Sequence, residues 1–128
     1  MATLVRVVAG ILLIAHGAVH ALYLAPAPDD PKYPFTFESS WLPGPARRPV
    51  AIALIAATVI AFILLALAVW GVPGLTGAWP VLTIVASALS LALLITFWHT
   101  WLVFGVAIDL GLIAIAFIRP GWTDQIPT

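Results

Sequence analysis

A handful of side chains in this sequence could do chemistry, and they sit in apolar surroundings. Asp109 is the one charged residue in the run from Trp101 to Ile118. In a bilayer such a carboxyl costs about 2.5–3.5 kcal/mol on insertion scales, so the fold must supply it with a partner. His16 and His20 stand four apart and share one helical face. Two imidazoles at that spacing, joined by a carboxylate from another segment, could supply three ligands to zinc, iron or copper. The same groups, His16, His20 and Asp109, could instead hold a proton or a small ligand. An HxxxH pair without the glutamate of an HExxH motif lacks the general base of a metalloprotease. His20 and His99 are candidate axial ligands for haem. Ser90 with His16 and Asp109 has the residue types of a nucleophilic triad, but nothing in the sequence marks an oxyanion hole or a water path, so no catalytic residue is assigned. With no cysteine anywhere, disulfides, thiolate metal sites, iron–sulfur clusters and CxxC redox chemistry are excluded, and any redox role would need a bound cofactor.

The elements that must position these groups are membrane helices. Of 128 residues, 63% are hydrophobic and only 8% charged, too few polar groups to cover a water-soluble domain. Five basic and five acidic residues cancel, and no Lys/Arg cluster exists to neutralise a phosphate backbone, so nucleic acid is not an expected partner. The expected solvent is the lipid bilayer, with a multi-pass location in a prokaryotic cell membrane. Arg6 ahead of an apolar stretch that ends in Ala25-Pro26-Ala27 resembles a secretory signal with its cleavage site. We expect a retained membrane anchor instead. No lipidation motif is present, since position 2 is Ala and Cys is absent.

The apolar runs predict four transmembrane helices, at about 3–24, 50–70, 79–98 and 101–118, in an all-α, up-down bundle. Trp70, Trp79, Trp98, Trp101 and Trp122 fall at or just beyond these limits, where an indole settles at headgroup level. Gly71, Pro73, Gly74 and Gly77 make a breaker-rich turn between the second and third helices, and Pro120-Gly121 stops the fourth. The loop 25–49 holds seven of the eleven prolines together with an aromatic cluster. Tyr33, Phe35 and Phe37 alternate with Pro34, Thr36 and Glu38, so an extended segment would present one aromatic face to the bilayer or to the bundle mouth. That loop is expected to be an ordered brace at headgroup level or, alternatively, a ligand lid formed by Tyr33, Phe35, Phe37 and Trp41. Lys32, Arg47 and Arg48 on one face nearly balance Arg6, Arg119 and the amino terminus on the other, so orientation is not assigned.

Connectivity puts four polar side chains at one depth. His16, Thr58, Ser90 and Asp109 each lie eight residues from the same end of the bundle, roughly 12 Å below that surface. Thr83, Ser87 and Ser90 form a polar stripe on the third helix, while Ala53, Ala57, Ala61, Gly105 and Gly111 permit close helix approach. Such a layer is either a hydrogen-bonded clamp that fixes helix register or a site for a proton, metal or small ligand. Arg6 should snorkel to headgroups, roughly 15 Å of helix rise from His16.

The first helix, Arg6-Val7-Val8-Ala9-Gly10 through His16-Gly17, resembles the opening span of DoxX-like small membrane proteins, and chain length and span count fit that family. The resemblance implies an accessory membrane component linked to redox or quinone-associated complexes. It carries over no catalytic residue, and the proline-aromatic loop and the Asp109 helix have no counterpart in it. The sequence therefore leads to a small accessory or scaffold subunit that packs against itself as a homo-oligomer or against a larger membrane complex. Its alternatives are an intramembrane binding or transport site at His16, His20 and Asp109, or a haem- or quinone-associated oxidoreductase component.

Overall fold

The computed structural model describes residues 2–26 and 28–128. Ala27, within the cleavage-like Ala25-Pro26-Ala27 stretch, lies outside the described residues. The described residues are helical with irregular connections: α1 (Ala2–Val19), α2 (Gly44–Val69), α3 (Trp79–Thr96) and α4 (Val103–Ile118), with short 3₁₀ turns at His20–Leu24, Thr100–Leu102 and Gly121–Gln125. Counting the 3₁₀ turns that extend α1 and precede α4, four helical stretches are long and apolar enough to cross a membrane.

Side-chain contacts fix the helix directions. Gly10 and Gly17 of α1 lie against Trp70, just past the end of α2, and Phe62 of α2, and Ser90 and Leu94 of α3 meet Asp109 and Gly105 of α4, so both pairs run antiparallel. The glycines of α1 have a steric reason. A Cβ on Gly10 would overlap the Trp70 indole, and one on Gly17 would lie 2.6 Å from Phe62 Cβ. Removing the Cβ lets α1 settle on α2, where the Trp70 indole N–H donates to the carbonyl of Arg6 at 3.0 Å.

Two boundaries differ from the sequence expectation. α2 begins at Gly44 rather than 50, with Pro45 in its first turn and Pro49 inside it. Proline suits a first turn because the amide it lacks would have no intrahelical acceptor there. The extension is anchored by Arg47, whose guanidinium donates to the carbonyls of Leu42 at 2.9 Å and Ser40 at 3.0 Å. α3 stops at Thr96 rather than 98, because Phe97 leaves helical geometry (φ −119°, ψ 59°) and is itself fully buried.

The aromatic loop is built into the molecule. Phe35 and Phe37 pack on Tyr23, the latter stacked at 5.8 Å, and Phe37 also meets Phe97. Tyr33 follows in the same row, 5.7 Å from Phe35. Ser39 donates to the carbonyl of Trp98, and His99 Nε2 donates to that of Pro31. Trp41 does not join this row; its side chain stands 72% exposed.

The apolar interior is divided in two. One cluster, around Phe62, Leu65, Trp79 and Ile126, fills the end of the bundle that holds the termini, and the other, around Tyr23, Ile55, Leu93 and Phe97, fills the loop end. The polar groups of α1, α3 and α4 lie between them.

Candidate functional site

At mid-bundle, four side chains form one chain of hydrogen bonds. His16 Nε2 lies 2.8 Å from Asp109 Oδ1, Ser90 Oγ lies 2.5 Å from Asp109 Oδ2, and His20 Nε2 lies 2.7 Å from Ser90 Oγ. His20 Nδ1 donates to the carbonyls of His16 and Gly17 at 2.9 and 3.1 Å, at the point where α1 tightens from α to 3₁₀ geometry. His20, Ser90 and Asp109 are essentially sealed, and the His16 side chain is 12% exposed. Phe62 closes the cluster from α2, edge-on to the His16 ring at 5.0 Å and roughly parallel to the His20 ring at 6.4 Å.

The positions of the hydrogens follow from these contacts. Because His20 Nδ1 must carry a hydrogen for the backbone carbonyls, two links remain to be filled between His20, Ser90 and Asp109, and Ser90 brings only one hydrogen. Either His20 Nε2–H donates to Ser90 and Ser90 donates to the Asp109 carboxylate, or a protonated Oδ2 of Asp109 donates to Ser90 and Ser90 donates to His20. The two arrangements differ by the shift of two protons and carry the same net charge. In both, Oδ1 of Asp109 accepts from His16 Nε2–H. Chemically, the cluster can move a proton between an imidazole and a carboxyl through a hydroxyl without any side chain changing place.

The helices around it pack unevenly. α1 packs on α2, α2 on α3 and α3 on α4, whereas α1 and α4 approach closely at few backbone positions. Across that seam the His16–Asp109 contact acts as a bridge, with a recess on each side. The recess toward the termini has a volume of about 240 Å³ and walls that include Ala9, Leu13, Trp79, Leu112 and Ile115. The other, of about 370 Å³, lies beneath Phe35 and is bounded by Leu94, Phe104 and Ile108. His16 lines both.

Four sequence expectations change here. Thr58 is fully buried, but the α1–α2 register sets Phe62 and not Thr58 beside Gly17, and the Thr58 hydroxyl has no hydrogen-bond partner among the described residues, so it is not part of the cluster. His20 replaces it, brought in through Ser90. The three-ligand metal arrangement of His16, His20 and Asp109 does not form, because both nitrogens of His20 are engaged, one by backbone and one by Ser90. Among the described residues no three His, Asp or Glu side chains gather where a metal ion could sit. The haem pairing of His20 with His99 fails for a similar reason: His99 faces the loop, donating through Nε2 to Pro31 and accepting at Nδ1 from the amide of Trp101. Arg6 does not turn wholly outward, since its Nε is buried without a partner among the described residues and the residue lines the recess nearer the termini.

The chain matches no protein-family model, no curated protein and no solved structure. Sequence reasoning missed Phe62 as the wall behind both imidazoles. It is the sole aromatic residue inside α2, which was the available signal; that it stands against Gly17 is seen only in the structure.

Proposed function

We propose that this protein is an intramembrane binding protein of a prokaryotic cell membrane, taking a lipid-soluble molecule from the bilayer through the seam between α1 and α4 and presenting it to His16. One observation carries this reading: α1 and α4, which approach each other at few backbone positions, are bridged by an ionisable pair, and apolar recesses lie on both sides of that bridge. A clamp serving only to hold register would gain from close packing of the helices around it. Here the helices stay apart, and the polar contact is within reach of a lipophilic molecule. Pockets of this composition, mostly apolar with a few convergent polar groups, suit small lipophilic ligands.

The reading is tested by purifying the protein from membranes, extracting it with organic solvent and comparing the extract with that of Ala9→Phe, which fills the recess nearer the termini without touching the polar cluster. A lipophilic compound retained by the native protein and lost from the variant supports it. Identical extracts containing only bulk lipid contradict it.

A second reading, an accessory subunit, has its own observation. Only 22% of the α1 span and 17% of the α4 span are buried, against 39% for α2 and 44% for α3, so α1 and α4 offer the largest uncovered faces to a partner helix or a second copy. Native mass spectrometry from gently solubilised membranes distinguishes a monomer from an assembly.

A further inference from the structure

The polar end of the seam has a definite hydrogen-bonding sense. With one hydrogen in each link of the cluster, His16 needs a single ring hydrogen, on Nε2, to satisfy Oδ1 of Asp109. A second ring hydrogen would leave His20, Ser90, Asp109 and His16 with a net positive charge at mid-membrane, where an uncompensated charge is costly. His16 Nδ1 is therefore a bare lone pair. It has no partner among the described residues and does not belong to the sealed, unpartnered atoms, and the ring that carries it lines both recesses.

A lone-pair acceptor selects a donor. We propose that the molecule bound in the seam carries a hydroxyl group that donates to His16 Nδ1, with its apolar body lying along α1 and α4 toward Trp79 and Trp122. Ethers, esters and ketones of the same shape offer only acceptors and would face the imidazole nitrogen lone pair to lone pair. This assignment rests on the seam being a ligand site, and it adds the ligand's chemical class. The recess on the terminal side suits a single extended chain: from the depth of Ser90 to Trp79 is roughly 16 Å along α3.

The test uses the full chain in lipid nanodiscs and two probes, a twelve-carbon alcohol brominated at its far end and the corresponding methyl ether. Bromine quenches indole fluorescence at contact, and Trp79, only 5% exposed, is shielded from bulk lipid. The part of the quenching lost in Trp79→Phe thus reports entry into the recess. The expected result is half-quenching at about fivefold lower concentration for the alcohol than for the ether, the usual worth of one hydrogen bond. In His16→Phe, which keeps a ring against Phe62, the difference should fall below about twofold. Nitrogen NMR of histidine-labelled native protein gives the answer independently of any variant: the alcohol, and not the ether, should shift a Nδ1 signal that carries no hydrogen. Equal quenching by both probes, or a His16 Nδ1 already protonated in the free protein, overturns the donor assignment while leaving the seam as a binding site. Quenching by neither probe beyond that seen in Ala9→Phe removes the binding reading itself.

Discussion

Ser87 and Ser90 offer a matched pair for measuring what the cluster contributes, since both lie fully buried on α3 and only one is bonded to other side chains. Ser90 Oγ joins His20 at 2.7 Å and Asp109 at 2.5 Å, whereas the Ser87 hydroxyl has no hydrogen-bond partner among the described residues. Substituting alanine removes one oxygen atom in each case, so the volume change is the same. In Ser90→Ala two links are lost, and a buried imidazole nitrogen and a buried carboxyl oxygen lose their partner. Interhelical hydrogen bonds in membranes average about 0.6 kcal/mol and reach about 1.7. Stranding buried polar groups adds to this, giving an expected loss of about 1–3 kcal/mol. Ser87→Ala removes an unmet hydroxyl and should change stability by less than about 0.5 kcal/mol in either direction. Reversible unfolding in mixed micelles with increasing SDS, followed by tryptophan fluorescence, gives both values under one condition. If Ser90→Ala is no more destabilising than Ser87→Ala, the bridge through Ser90 does not hold α1 and α4 to α3.

Other consequences are equally specific. Asp109→Asn should fold with stability within about 1 kcal/mol of the native protein, because the amide can accept from His16 and donate to Ser90, which then donates to His20; Asp109→Leu, measured in the same SDS titration, should lose about 1–3 kcal/mol. Gly17→Ala places a carbon 2.6 Å from Phe62 Cβ and should destabilise by about 1–3 kcal/mol through overpacking, and a tolerated substitution would contradict the close α1–α2 contact. Thr58→Val should be neutral or slightly stabilising in that assay, as the hydroxyl it removes is buried and has no partner among the described residues. Arg47→Ala releases the carbonyls of Leu42 and Ser40 and should speed amide exchange across 38–48 while leaving α3 protected; unchanged exchange there would show that Arg47 does not anchor the start of α2.

The helices were readable in the sequence because lipid imposes one simple rule, long apolar runs ended by Gly, Pro and Trp, and the runs around 79–96 and 103–118 obey it. The start of α2 was not, since Pro45 and Pro49 read as breakers until Arg47 is seen capping loop carbonyls. Depth counting brought His16 and Asp109 together correctly, as both lie well inside unbroken helices where a residue count converts directly to height. It failed for Thr58 because the count started from the wrong residue of α2: the helix begins at Gly44 rather than 50, and its register sets Phe62 beside Gly17 and His16. His20 entered the cluster through a hydroxyl bridge and a local 3₁₀ turn, neither of which leaves a mark in residue spacing. The open seam is a property of helix packing, and the small residues of α4, Gly105 and Gly111, suggested close approach without saying to which neighbour. Gly105 meets Leu94 of α3.

Photolabelling tests the ligand seam most directly. A long-chain alcohol bearing a diazirine, activated by light in nanodiscs containing the native protein, should leave its adducts concentrated on Leu13, Leu112 and Ile115, which wall the recess. Ala9→Phe should abolish them. Adducts confined to the outward residues Leu4, Phe117 and Ile118, and unchanged in that variant, would show that lipophilic molecules only coat the bundle and never reach His16.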